Sequence, residues 1–446
     1  MVTVQLDLLL RDGTVVNADH SERANIGVRD GRIVWIGMDT PAAESEIPLS
    51  GLHVLPGVID SQVHFREPGA EHKEDLQTGS RSAVLGGVTT VFEMPNTEPA
   101  TTTETALADK LARAAGRMWC DHAFFLGARP DNLDQLDQLE RLPGSPGIKM
   151  FLGRSTGGLL LQEEAHIREA LSRGHRRIAV HSEDQARLEQ RIHIAREAGH
   201  PRAHPLWRDA ETARSSTERL LRLASEVGRR VHVLHVTTAE EIPLLHAARD
   251  LATFEVTPQH LTLLAPECYE ELGTFAQMNP PIREARHREA LWEAVRAGWV
   301  DVIGSDHAPH TREEKALPYP ESPAGMPGVQ TLVPIMLDHV HAGRLSLPRM
   351  VELTSAGPAR VYGVLRKGRI AVDYDADFTI VDLSAKREVR ESWLASRCGW
   401  SPFTGRSFTG WPILTIVRGQ IVMREEEVLG EPSGRPVEFA ETAGFD

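Results

Sequence analysis

Residues able to bind a metal or move a proton follow one apolar run closely. The run VLPGVI, which reads as a buried strand, leads into DSQVHF, where Gln62 and His64 are two residues apart. Residues at that spacing in a strand point to the same face, so both side chains would look into one site. An Asp-x-His-x-His strand end commonly places two imidazoles on one metal ion, and here glutamine replaces the first imidazole. The segment therefore predicts a metal-dependent hydrolase with one departure, at position 62.

Four later apolar runs carry residues of the same types. GIKMF, RIAVHS, RVHVLHV and VDVIGSDH contain Lys149, His181, His235 and Asp306. One strand histidine is more often a hydrogen-bonded core residue than a ligand. Three histidines, a lysine and an aspartate would rarely lie at the same end of separate strands by chance. We therefore predict a metal site. Imidazole suits Zn²⁺, and a carboxylate adds a charged ligand and a general base.

Lys149 is the unusual member of this set. A protonated ammonium group has no lone pair to offer a metal ion. Reaction with carbon dioxide would convert Lys149 into a carbamate, which is anionic and has two oxygens able to bridge two ions. A lysine held in a salt bridge at the mouth of a barrel is the alternative, and the sequence leaves both open.

The elements that would position these residues alternate along the centre of the chain. Eight short apolar runs are separated by helical patterns such as ETALADKLARAAGRM and STERLLRLASEVG. Repeated strand–helix alternation predicts an α/β fold, a parallel (β/α)8 TIM barrel over residues 56–365. Such barrels carry their chemistry at the C-terminal ends of the strands, where the residues above lie. The Pro-rich, charged segment 307–328 after the eighth run is a candidate loop over the site.

Both ends of the chain are rich in short β patterns. Asp-Gly pairs at positions 12–13 and 30–31 predict turns between strands. We expect residues 1–55 and 366–446 to form one small β-sandwich domain, into which the barrel is inserted. Two unrelated β flaps are the alternative.

The composition limits the class of protein. A formal net charge of −14 argues against nucleic-acid binding but allows a small anionic substrate held by local Arg, His and Asn groups. No apolar run is long enough to span a membrane, and the first residues lack a basic signal-peptide start. The three cysteines are far apart in sequence, which predicts no disulfide framework. A cytoplasmic enzyme is expected.

Several longer segments together carry a family resemblance. They are PGVIDSQVHFREPG, GGVTTVFEMPNTEPATTT, GIKMFLG, AVHSED, HVLHVTTAEE, EVTPQHLTLL, MNPPIR and GSDHAPHTREEK. Through them the chain resembles the dihydroorotases, in the cyclic-amidohydrolase branch of the amidohydrolase superfamily. The resemblance implies a zinc-dependent cyclic amidase that interconverts (S)-dihydroorotate and N-carbamoyl-L-aspartate in pyrimidine (UMP) biosynthesis.

The same resemblance assigns roles to individual residues. It implies metal ligands at His64, Lys149, His181, His235 and Asp306, with Lys149 carboxylated and bridging one or two Zn²⁺ ions. Asp306 would also be the catalytic residue that shuttles the proton. Arg66, Asn96 and His310 would hold the substrate carboxylate, and Asn279 would make a further substrate contact. An ion pair between Arg66 and Glu67 or Glu71 at the barrel rim is the alternative role for that arginine.

Position 62 and the quaternary structure remain open. Gln62 is expected to be a trait of a bacterial dihydroorotase subgroup and a tentative ligand of a weaker second metal. An allantoinase or hydantoinase is one competing reading, although Arg66 disfavours substrates without a carboxylate. An inactive structural subunit of a transcarbamoylase assembly is another. For an active enzyme we expect a homodimer, with association with aspartate transcarbamoylase as a further partner.

Overall fold

A computed structural model describes residues 5–154 and 158–442. Its strands are β1 (Leu6–Val16), β2 (Ser21–Arg29), β3 (Arg32–Gly37), β4 (Ala43–Pro48), β5 (His53–Pro56), β6 (Val58–Val63), β7 (Val88–Glu93), β8 (Asp121–Phe124), β9 (Leu126–Gly127), β10 (Ile148–Phe151), β11 (Ile178–His181), β12 (Val231–Val233), β13 (Ala252–Val256), β14 (Val302–Ile303), β15 (Phe378–Glu388), β16 (Ser407–Val417), β17 (Gln420–Arg424) and β18 (Glu427–Val428).

The α-helices follow the barrel strands or lie in the loops between them. They are α1 (Leu76–Leu85), α2 (Glu104–Ala114), α3 (Leu136–Leu139), α4 (Glu164–Leu171), α5 (Gln185–Ala198), α6 (His204–Trp207), α7 (Ala210–Val227), α8 (Glu241–Ala247), α9 (Pro258–Thr262), α10 (Glu267–Leu272), α11 (Ala285–Arg296), α12 (Arg312–Lys315), α13 (Leu332–His341), α14 (Leu347–Val351) and α15 (Gly357–Tyr362). No helix of the described residues is long and apolar enough to cross a membrane.

Parallel strands β6 to β14 form the predicted (β/α)8 barrel. They pair as β6-β7-β8 and as β9 to β14 in order. β8 and β9 are two parts of one barrel strand, interrupted at Phe125, whose N–H still donates to Glu93 O at 2.9 Å. The ring closes where His64 N donates to His307 O at 2.7 Å. The strand side chains are buried because helices cover the outside of the sheet, which explains the nearly continuous apolar runs.

The helices begin and end where local chemistry favours it. α1 starts with a capping box, in which Asp75 accepts from Thr78 N and Thr78 returns a bond to the Asp75 backbone. α7 is capped by Asp209 and ends at Gly228, which has a left-handed backbone conformation. Helices with such fixed ends return the chain to the start of the next strand in a defined register.

Strands from both ends of the chain share one β-rich sheet. β5 pairs in parallel with β1 and antiparallel with β15, with Val54 opposite Ile380. The apolar side chains of this sheet form their own core, which includes Leu8, Ile26 and Phe378. This pairing rules out two unrelated β flaps. The residue boundaries given above for the two domains stay a prediction.

The first Asp-Gly pair does not form the expected turn. β1 runs without interruption from Leu6 to Val16, and its register against β2 shifts between Leu10 and Gly13. Asp12 takes a positive φ of 63°, so the extra residue is absorbed as a bulge inside the strand. The second pair does form the expected hairpin turn between β2 and β3.

A buried ionic cluster joins the barrel to the β-rich sheet. The carboxylates of Asp121, Asp375 and Asp377 lie within 4.8 Å of one another, a spacing that could hold a metal ion. Lys367 Nζ lies among them, 2.6 Å from Asp121 Oδ2 and 3.3 Å from Asp375 Oδ2, and also contacts Asp377. Lys367 shares the neutralisation of this cluster with Arg418, which pairs with Asp121, and with Arg32, which pairs with Asp375.

Candidate metal centre

The C-terminal ends of the barrel strands surround one small cavity. Seven of the sequence-predicted site residues line it, namely Gln62, His64, Lys149, His181, His235, Asn279 and Asp306. Arg66, Asn96 and His310 do not line this cavity but contact its immediate surroundings. Parallel strands bring these residues together from distant parts of the sequence, as the barrel prediction requires.

The backbone is strained at three positions around the cavity. Arg66, His235 and Asp306 have φ values of 65°, 38° and 46°. Left-handed conformations cost a residue with a side chain roughly 1–3 kcal/mol and cluster at functional sites. Each of these residues follows the end of a barrel strand, where the chain turns sharply. Three such residues thus lie around the cavity, at the C-terminal ends of the barrel strands.

Gln62, His64 and Asp306 form one side of the cavity. Gln62 Nε2 donates to Asp306 Oδ1 at 3.1 Å, and His64 Nε2 is 3.2 Å from the same oxygen. Gln62 Oε1 is buried and has no hydrogen-bond partner among the described residues. An unpaired buried acceptor is costly unless a ligand satisfies it, and an amide oxygen can coordinate a metal ion. This side of the cavity therefore fits a cation.

His181 and His235 form the other side. His181 Nδ1 and His235 Nε2 are 3.1 Å apart. Burial lowers the pKa of both histidines, which keeps them neutral with lone pairs available at pH 7. Two such nitrogens close together suit one zinc ion, for which Zn–N bonds are about 2.0–2.1 Å.

A buried ion pair orients His181, and sequence reasoning missed it. Glu183 Oε2 lies 3.0 Å from His181 Nε2, while Arg208 pairs with the same carboxylate. Carboxylates behind metal-binding imidazoles fix ring orientation and raise ligand basicity. Glu183 lies two residues after His181, and this strand spacing was the available signal. No sequence signal pointed to Arg208.

Lys149 is fully buried at the bottom of the cavity. Its Nζ lies 4.5 Å from the centre of the Phe151 ring, and among the described residues it pairs with no carboxylate. Burial lowers the pKa of Lys149 to about 7. A neutral amine is the form that reacts with carbon dioxide.

Arg66 is a buried cation beside the metal cavity. Its Nε donates to Pro309 O at 3.1 Å, and its Nη2 is 3.3 Å from His310 Nε2. Burial lowers the pKa of Arg66 to about 10, which still leaves it charged at neutral pH. Glu67, one expected partner, instead binds Arg117 at 2.7 and 2.9 Å.

Glu71 does not neutralise Arg66 either. Its carboxylate accepts the backbone N–H of Gly69. Within residues 5–154 and 158–442 the Arg66 guanidinium pairs with no carboxylate. The alternative of a rim ion pair is therefore wrong, and the charge is available for an anionic ligand.

Asn96 and Asn279 take different positions. Asn96 Oδ1 is 2.7 Å from His64 Nδ1, so His64 donates to it and turns Nε2 toward Asp306. Asn279 lines both the metal cavity and a larger adjoining pocket of about 770 Å³, which Arg154 and Trp207 also line. Asn279 therefore lies between the two cavities.

Asp60 ties two site-bearing strand ends together. Its Oδ1 accepts from Ser305 N at 2.9 Å and from Gln62 N at 3.2 Å. Burial raises the pKa of Asp60 to about 7. Through these two hydrogen bonds Asp60 holds the end of β6, which contains Gln62, against the segment after β14, which contains Asp306.

Known proteins share this architecture. Two relatives are dihydroorotases: that of Halobacterium salinarum is 40% identical over 83% of this chain and 86% of its own. That of Methanothermobacter thermautotrophicus is 36% identical over 94% of each chain. The solved L-hydantoinase (dihydropyrimidinase) of Arthrobacter aurescens is 31% identical and superposes with a TM-score of 0.92 over 97% of this chain and 99% of its own.

The family assignment rests on both sequence and structure. The family model described as "Amidohydrolase family" matches residues 53–422, which include the whole barrel and most of the C-terminal strands. The matched region contains every residue of the cavity described above. The chain belongs to the amidohydrolase family.

Proposed function

We propose that this chain is a dihydroorotase, which interconverts (S)-dihydroorotate and N-carbamoyl-L-aspartate in pyrimidine biosynthesis. The observation that carries the proposal is Arg66, a buried guanidinium beside the metal cavity without a carboxylate partner among the described residues. Dihydroorotate has a carboxylate, which a guanidinium binds with two parallel hydrogen bonds. Hydantoin and allantoin have none.

The relatives support the same substrate. The dihydroorotases of Halobacterium salinarum and Methanothermobacter thermautotrophicus align with most of this chain. The structural similarity to an L-hydantoinase supports cyclic amides as the substrate class, since both enzymes open a ring amide.

We propose that His64, Lys149, His181, His235 and Asp306 would hold one or two Zn²⁺ ions, with Lys149 as a bridging carbamate. The buried neutral imidazoles and the orphaned Gln62 oxygen fit such a centre. When bound, zinc supplies a Lewis acid that polarises the amide carbonyl and lowers the pKa of water. Because an amide oxygen is less basic than imidazole, the ion beside Gln62 would be the weaker of the two. We regard Gln62 as a subgroup trait.

The side chains of the barrel mouth would carry the remaining steps. Asp306 accepts the proton of the attacking water and delivers it to the ring nitrogen as the carbon–nitrogen bond breaks. Arg66 and His310 hold the substrate carboxylate. Asn96 orients His64 and completes that subsite, and Asn279 contacts the ring from the entrance side.

A substrate panel with metal analysis tests the proposal. The purified protein should contain zinc and hydrolyse dihydroorotate much faster than hydantoin or allantoin. Arg66→Met should raise KM for dihydroorotate about 10–100-fold, because hydrogen bonds to charged groups contribute about 1.5–3 kcal/mol. It should change hydantoin turnover less than about threefold. Equal losses on both substrates would contradict the carboxylate role.

A protein with no turnover on any cyclic amide would favour the inactive-subunit alternative. The retained residues argue against it, because a chain freed from catalytic constraint would be expected to lose more than one of them. A homodimer, association with aspartate transcarbamoylase and a cytoplasmic location stay predictions.

A further inference from the structure

Lys315, the last residue of α12, is a buried lysine whose amine contacts backbone carbonyls. Its side chain is fully buried, and it pairs with no carboxylate among the residues that the structure describes. Lysine is rarely buried completely unless paired. Its Nζ donates to three backbone carbonyls, Gln277 O at 3.3 Å, Pro323 O at 2.8 Å and Gly325 O at 3.0 Å.

Two of these carbonyls belong to residues 323–325, which we call the strap. Ala324 and Gly325 line the metal cavity, and Ala324 also lines the larger pocket outside it. The strap is thus a wall shared by the two cavities. Three carbonyl acceptors need the three N–H donors of an ammonium group, so Lys315 is held charged and fixes both ends of the strap, although burial lowers its pKa to about 7.

The middle of the strap contacts the subsite proposed for the carboxylate. Ala324 O is 3.2 Å from His310 Nε2, and Gly325 N donates to Gln277 O at 2.8 Å. Gly325 has a φ of +138°, and a Cβ there would lie 2.6 Å from Ala308 O. The strap therefore packs closely against the segment that follows Asp306, and a shift of the strap would change the shape of the pocket.

We propose that Lys315 is a positioning residue that holds the strap as the wall of the substrate pocket. The substrate named for it rests on the proposed function above. Because the strap would contact bound substrate before and during the reaction, its loss should weaken binding more than it slows the chemical step. Neither zinc nor the proton shuttle depends directly on Lys315.

Two variants at this position separate hydrogen bonding from charge. Lys315→Met keeps the length of the side chain without donors, and Lys315→Gln keeps two N–H donors without charge. With dihydroorotate we expect Lys315→Met to raise KM at least about tenfold and to change kcat less than about threefold. Lys315→Gln should give an intermediate KM. Zinc content should be unchanged in both.

Hydrogen–deuterium exchange supplies a readout independent of turnover. Exchange in residues 317–325 should rise in Lys315→Met and rise less in Lys315→Gln. The matched control is Leu171→Ala at the end of α4. This helix follows the fourth barrel strand and Lys315 follows the eighth, so the change lowers stability without touching the loop. It should leave KM and exchange in residues 317–325 unchanged.

The outcomes separate the two proposals. Unchanged KM and unchanged exchange in Lys315→Met would overturn the positioning role, and so would a KM rise of equal size in Leu171→Ala. If Lys315→Met does not fold, Lys315→Gln carries the same comparison. Failure of the unmodified protein on dihydroorotate overturns only the proposed function, and the variants are then compared on hydantoin and by exchange.

Discussion

Gln62 places a neutral amide oxygen at the cavity, and its amide nitrogen already donates a hydrogen bond. Nε2 donates to Asp306, so only Oε1 can face a cation. Gln62 would thus face a metal ion through Oε1 while its Nε2 holds Asp306, the proposed proton shuttle. A histidine at this position could bind a metal ion but would not preserve the same bond to Asp306 in every tautomer.

Gln62→His should strengthen the weaker metal site. After dialysis against a chelator, we expect the unmodified protein to keep about one zinc per chain and the variant to keep about two, since imidazole is the better zinc ligand. Metal analysis of both proteins measures this. Gln62→Leu, which removes the oxygen, should retain no more zinc than the unmodified protein. If the unmodified protein also keeps two zinc ions after dialysis, Gln62 does not weaken the second metal site.

Asp306→Asn should remove most turnover and leave the fold intact. Asparagine keeps the size of the side chain but cannot shuttle a proton, and general acid–base catalysis contributes about 10²–10⁴-fold. Steady-state kinetics, zinc content and circular dichroism measure the result. Asp137→Asn on the exposed face of α3 is the matched control. Near-normal kcat in Asp306→Asn would refute the assignment.

The residues that line the cavity could be predicted from the sequence because strand ends mark them. His64, His181 and His235 each follow an apolar run, and the barrel rule brings such ends together. Arg208 could not be found in this way, because its partner Glu183 lies on a different element and ion pairs between distant segments leave no local pattern. Lys315 was missed because burial of a lysine among carbonyls depends on tertiary packing alone.

At the scale of elements, the connection between β15 and β16 reaches the mouth of the barrel. Trp400 Nε1 donates to His310 O at 2.8 Å, and Arg397 pairs with Asp75 at the start of α1. The C-terminal part of the chain therefore supports the loop that carries His310. All eight barrel strands were predicted from apolar runs, but this support was not, because it joins irregular segments.

Trp400→Phe should loosen the loop that carries His310, while the phenyl ring keeps most of the apolar packing of Trp400. It removes one hydrogen bond to the backbone of His310, which costs about 1 kcal/mol of stability. We expect KM for dihydroorotate to rise a few-fold, measured together with the thermal unfolding midpoint. Trp393→Phe is the matched control, because the Trp393 indole N–H is buried without a partner in the described part of the chain. If both variants raise KM alike, the hydrogen bond is irrelevant.

At the scale of the whole molecule, the barrel and the β-rich sheet meet at a buried charge cluster. Lys367 lies among Asp121 of β8 and two aspartates that precede β15. The joining of the two chain ends was predicted from their shared β pattern. The cluster was not predicted, since Asp121 lies 246 residues before Lys367 and all four charged residues resemble ordinary surface residues in the sequence.

Lys367→Met should destabilise the whole protein and spare the site. Removing one partner of a buried ion pair costs up to about 3–5 kcal/mol, and here Arg418 and Arg32 still compensate part of the negative charge. Urea unfolding measures the loss, and KM for dihydroorotate should stay unchanged. Arg369→Met is the control, since its ion pair with Asp19 is exposed to solvent and should contribute little to stability. Equal stability of the two variants would contradict the role of the cluster.

The pairing of β5 with β15 also sets an order of events during synthesis. Pro56 pairs with Phe378, so β5 leaves the ribosome long before its partner strand exists. The barrel lies between β5 and β15 in the sequence and can collapse first, whereas the β-rich sheet can form only after β15 has been synthesised. Until then one edge of β5 is unpaired, and unpaired edges invite contact with other chains. Ribosome-bound chains that stop before β15 should therefore depend more on chaperones than the completed protein does.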